Sequence, residues 1–171
     1  YQSLPSSKLV LMMQLEVDRM NQLLLREEDL KTEKEVVKEE RRWRVDNNPT
    51  MALFELTMAT VFKVHNYKNP VIGTMEDINN FNVGTLRKFY ETYYVPSNAV
   101  LVIAGDIKIP ELKKMIEKYY GGLPKKDLPE RISKKESVQK VQYNAKLKKD
   151  VKSDSFNLVY QSVPQNNPDI Y

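Results

Sequence analysis

The run Thr-Glu-Lys-Glu-Val-Val-Lys-Glu-Glu-Arg-Arg, residues 32–42, gathers side chains suited to acid–base or metal chemistry: four of its eleven residues are glutamates. The run reads as a helix. Glu33 and Glu40 stand seven residues apart, which is two turns, and so share one face. Val36 and Val37 fall on the stripe between them. Glutamates on a helix are ordinarily solvated or paired with Lys and Arg, and Glu39 and Glu35 fit that description, Glu35 as part of a cap. Two carboxylates along an apolar stripe raise the question of what they face.

The other candidate residue types are few. No cysteine is present, which excludes thiolate metal sites, cysteine nucleophiles and disulfides. His65 is the single histidine, in "KVHNYKNP", a loop-like stretch. The 171 residues suffice for one domain with a core or for most of a larger one, and 41% hydrophobic with 29% charged residues is a globular composition. The net charge of +4 comes largely from lysines between Lys125 and Lys152, with Tyr143 the one aromatic in that stretch and no nucleic-acid motif. A solvated loop and edge strand account for it, and no nucleic-acid partner is expected. No apolar run approaches the length of a membrane span. The sequence opens at Tyr1 with no signal peptide and reads as an internal piece of something longer.

Several elements would position these residues. "KLVLMMQLEVDRM" has apolar residues at helical spacing, with its methionines as core filler. Thr32 with Glu35 predicts a capped helix running to about Val45. Pro49 ends that helix or opens the next, over "TMALFELTMATVF". Thr74 and Asn82 are placed to cap two further helices, and Pro110 and Gly121 bracket another. "AVLVIAGD" reads as a buried interior strand, and "SVQKVQYNAKL" and "SFNLVYQSV" as two more. "PQNNPDIY" starts a loop or helix. The pattern predicts α+β, with helices packed on one face of a mostly antiparallel sheet.

In this order "LEVDRM", "EKEVVKEERR", "DNNP", "NPVIGTMEDI", "FYETYYVPSNAVLVIAGD" and "KYYGGLP" resemble the insulinase/pitrilysin family of zinc metallopeptidases, the inverted zincins, in its processing-peptidase-like bacterial branch. The resemblance covers nearly the whole chain. It implies a metallopeptidase-half fold, incomplete at its N-terminus. Residues about 1–75 would be a peptidase part carrying the third-ligand helix, and about 76–171 the helix-strand part that follows. It also implies that Glu40 is a zinc ligand and that Glu33 supports the site by orienting or tuning a histidine ligand.

The family's H-x-x-E-H is not in this sequence. The resemblance therefore implies no catalytic residue here, zinc in the intact parent but not tightly bound to this piece, and no activity for the piece alone. The parent would be a zinc endopeptidase acting on extended peptides, with the rest of the chain or a related second half as partner. The alternative is a non-catalytic partner subunit or structural half. Location is open, leaning to the bacterial periplasm or envelope.

Overall fold

Several helices of the chain start at a side chain that caps backbone N–H groups, whereas two others have no side-chain cap. The computed structural model describes residues 1–132, 134–163 and 167–170. The helices are α1 (Leu9–Asn21), α2 (Glu27–Arg41), α3 (Pro49–Val61), α4 (Met75–Asn80), α5 (Val83–Tyr93) and α6 (Ile109–Tyr120), with short 3-10 turns between them and a wide π turn at Arg42–Asp46. Asn48 caps α3, its side chain accepting from the amides of Thr50 and Met51, with Pro49 at the first helical position. Thr74 and Asp77 form a reciprocal capping box on α4, and Asn82 and Thr85 form one on α5. Gly121 closes α6, its N–H donating to Glu117 O.

One predicted start is corrected. α2 begins at Glu27, and Thr32 lies inside it. Glu27, Glu28 and Asp29 crowd the first turn, where negative charge meets the positive end of the helix dipole. Arg26 donates to both Asp29 oxygens at 2.7 and 3.0 Å, fixing that turn. Glu35 accordingly serves as an ion-pair partner of Lys38 at 2.6 Å rather than in a cap.

The larger correction concerns the sheet. The expected α+β fold with an antiparallel sheet is not found: among the described residues the regular structure is entirely helical, with no strand. "AVLVIAGD" leaves a 3-10 turn in extended conformation at Ala99, yet Val100 and Val102 are 89% and 81% exposed. "SVQKVQYNAKL" and "SFNLVYQSV" are likewise irregular and largely exposed. The reason is physical. An extended segment becomes a strand only when a second backbone lies beside it to take its hydrogen bonds, and no described segment does so. Of "PQNNPDIY", residues 164–166 and 171 lie outside the described residues, and Pro168–Ile170 form a 3-10 turn.

The chain divides into two compact units, residues 1–30 with 82–130 and residues 31–81 with 131–171. In the first, α1 packs against α6, and Met13 is fully buried, with Met12, Val17 and Met20 half-buried along the same stripe. Tyr90 of α5 ties the end of α1, its hydroxyl donating to Arg19 O at 2.8 Å and accepting from Leu23 N at 3.4 Å. Burial, with Glu16 nearby, pushes the Tyr120 phenol up, and its hydroxyl has no partner among the described residues. In the second unit, α3 packs against the π turn that precedes it and the 3-10 turn that follows it. Ile78 and Val45 are its buried apolar side chains among the described residues, and Arg41 is its buried charged one.

Candidate metal-ligand helix

Glu33, Val36, Val37 and Glu40 lie along α2 as their spacing requires, and the structure leaves this stripe unburied. Glu33 is exposed and Val36 is 54% exposed. The Glu40 side chain is 40% exposed, and Arg44, one turn on, reaches its carboxylate at 3.0 Å. That pair is open to solvent and holds Glu40 only weakly. Glu39 points elsewhere and pairs with Arg42. Glu40 and Glu33 are two turns apart, about 10 Å along the axis, so one ion of ordinary ligand distance cannot touch both.

What fixes the bearing of Glu40 is the residue after it. Arg41 is 7% exposed, and its guanidinium spans three elements. Nη1 and Nη2 donate to the two oxygens of Glu55 on α3 at 3.1 and 2.9 Å, a planar fork on a carboxylate. Nη1 also donates to Gly73 O at 2.7 Å, and Asp46 stands 3.4 Å from Nη2. Gly73 adopts φ +80°, a conformation that L side chains rarely take, and this turns its carbonyl to the guanidinium. The Glu55 bonds hold the Arg41 pKa above the ordinary arginine value despite burial. Sequence reasoning passed over Arg41. Its signal was Glu55, a lone carboxylate in the apolar run "TMALFELTMATVF", which calls for a charged partner once that helix packs.

His65 sits in a loop, half-buried, with its ring 4.4 Å from Tyr67 and 5.6 Å from Phe62 by centroid. Its Nδ1 accepts from Tyr67 N at 3.2 Å, so that nitrogen is engaged by backbone.

With this geometry in view, the chain can be set beside known proteins. Residues 80–171, more than half of the chain, match the family model described as the peptidase M16 inactive domain. The chain belongs to the M16 peptidase family. The zinc protease PqqE of Helicobacter pylori is 34% identical to this M16 chain over 115 residues, covering 67% of the chain and 26% of PqqE. A crystal structure of a protease from Helicobacter pylori is similar at TM-score 0.68 and 32% identity, over 75% of this chain and 32% of that one. A mutant of the ferredoxin protease FusC, in complex with Arabidopsis ferredoxin, is similar at TM-score 0.68 and 27% identity, over 78% of this chain and 15% of that one. The chain spans about a quarter of the length of the curated relatives it matches.

Those relatives are named zinc proteases, so the family is one of zinc enzymes. The described residues of this M16 chain do not make a zinc site by themselves. No group of three or more His, Asp or Glu side chains among them is placed to hold a metal ion. A catalytic zinc takes three protein ligands, and the α2 carboxylates are exposed or half-exposed and spread along the helix, with Glu33 two turns away from Glu40.

Proposed function

We propose that the full-length protein is a zinc-dependent endopeptidase that hydrolyses peptide bonds in extended peptides with zinc-activated water, and that this chain supplies one donor, Glu40, from α2. Glu33 supports the site from two turns away on the same face. The observation that carries the reading is the state of the Glu40 face. The backbone beneath it is locked by the buried Arg41–Glu55 fork, while its carboxylate is held only by an exposed Arg44 and the stripe beside it is uncovered. A fixed base with an uncommitted carboxylate suits a donor that completes a site with groups from elsewhere. The stretch about 1–75 is the peptidase part and about 76–171 the part that follows. The substrate is a peptide or protein, and a related second half completes the enzyme. Similarity to FusC, crystallised with a ferredoxin, supports a protein substrate. A bacterial periplasmic or envelope location belongs to the same proposal.

The test uses the full-length protein. Glu40→Gln keeps the side-chain volume and removes the charge, so folding should persist while bound zinc and peptide turnover are lost. Glu33→Gln should lower turnover by about 10- to 100-fold. Glu39→Gln and Glu35→Gln should leave zinc content unchanged. Zinc retained in the Glu40 variant and lost in the Glu39 variant would shift the assignment by one residue; retention in all four would refute it. The second reading, a non-catalytic half that assists an active partner, is favoured by the match of residues 80–171 to an inactive domain. A full-length protein with neither stoichiometric zinc nor turnover would decide for it.

A further inference from the structure

Residues 134–163 are neither helix nor strand, and much of their apolar surface stays in solvent: Val138, Phe156, Leu158 and Tyr160 are 78%, 82%, 73% and 83% exposed. Packing therefore does little to hold this segment on its unit, and polar contacts must do it. Most are single. Lys149 Nζ donates to Asp46 O at 2.7 Å, Asn157 Nδ2 donates to Thr57 Oγ1 at 3.1 Å, and Lys63 Nζ lies 5.0 Å from the centre of the Tyr143 ring.

Glu136 is different in kind. Its carboxylate accepts from three consecutive backbone amides, Lys63 N at 2.8 Å, Val64 N at 2.8 Å and His65 N at 2.7 Å. Successive N–H groups converging on one point form an anion-binding concavity, and bonds to an ionised carboxylate are the stronger sort. The loop that carries these amides is tied by contacts of its own. The rings of Phe62, His65 and Tyr67 pack together, Tyr67 N donates to His65 Nδ1, and Lys68 Nζ donates to Lys63 O at 3.1 Å.

We propose that Glu136 is the clasp of a releasable strap, residues 134–147, whose carboxylate closes it onto the amides of residues 63–65. Opening the clasp frees those amides and the strap while the helices beneath, which are held by their own caps and the Arg41 fork, stay folded. Acid is one way to open it. The amide of His65 first, then those of Lys63 and Val64 and the charge of His65, hold the Glu136 carboxyl below the usual glutamate range against desolvation. The clasp is therefore present above that range and lost as pH falls through the depressed value. The other ionisable groups about it are Lys63, Lys68 and Tyr67 on the loop and Lys134, Lys135 and Tyr143 on the strap.

Hydrogen–deuterium exchange on the full-length protein at neutral pH tests this. Glu136→Ala should speed exchange of the amides of residues 63–65 by about tenfold or more, with the amides of α3 unchanged. Glu136→Gln, which keeps a neutral acceptor of the same shape, should fall between. Glu130→Ala, on the same chain outside the strap, should match wild type. Equal exchange in wild type and Glu136→Ala overturns the proposal, as does equal acceleration by Glu130→Ala.

Discussion

The end of α2 and the run "AVLVIAGD" are both places where the sequence concentrates a strong signal, and they behave in opposite ways. The end of α2 is charged, and it is ordered down to a buried guanidinium whose Nη atoms hold Glu55 and Gly73 O, while its Nε has no partner among the described residues. The second run is apolar and has no regular structure, with Val100 and Val102 in solvent. The difference lies in where each finds its backbone partners. A helix closes its hydrogen bonds within a few residues, so α2 needs only its own sequence and a side-chain clamp. A strand closes them on another segment, and hydrophobicity alone does not supply one.

Cutting the clamp should have the largest effect. Arg41→Ala leaves Glu55 and Gly73 O without their donor and should cost about 3 kcal/mol in urea unfolding of the full-length protein. Arg41→Lys keeps the charge but not the planar fork and should lose less. If both variants unfold like wild type, the second unit is held by something other than this network.

A cap should matter less. Thr74→Ala removes one side of the α4 capping box and should cost about 1 kcal/mol at neutral pH. Bonds from the Thr74 hydroxyl, then its amide, hold the Asp77 carboxyl below the usual aspartate range. A depressed carboxyl stabilises above its unfolded pKa, and that stabilisation disappears as pH falls through the folded value. The variant should therefore lose less stability than wild type between pH 7 and pH 3. Equal acid slopes would show that Asp77 draws nothing from Thr74.

The smallest effect is expected in the apolar run. Val102→Ala removes surface already in water and should change stability by less than about 0.5 kcal/mol. This variant sharpens the comparison most directly. A loss above about 1 kcal/mol in the full-length protein means that another segment packs on residues 99–104 there.

What could be read from the sequence followed the same division. Pro49, Thr74, Asn82 and Gly121 sit where they were expected, because caps and stops act over three or four residues. The shared bearing of Glu33 and Glu40 also follows from helix period alone. The start of α2 was misplaced, because Thr32 with Glu35 imitates a cap and the acidic first turn at Glu27 gave a stronger one. The sheet was misjudged, because alternation and apolar runs state a preference and not a partner. Arg41 escaped notice, since arginine after two glutamates reads as surface until Glu55 is placed opposite it across fourteen residues.

The wide turn at Arg42–Asp46 carries a further consequence. Its amide ladder steps by five, with Asn47 N donating to Arg42 O at 2.8 Å, so it holds one residue more than an ordinary helical turn. A turn of this kind acts as a slack loop in the ladder, absorbing a surplus residue without breaking it. Upstream, Glu40 and Arg41 keep their phase; downstream, Asn48 arrives where it can cap α3. Chain length in this short stretch, rather than side-chain identity, thus sets the angular offset between the carboxylate-bearing helix and the helix that braces it. Shortening the stretch by one residue would turn that offset by about 100° and carry Glu55 away from Arg41.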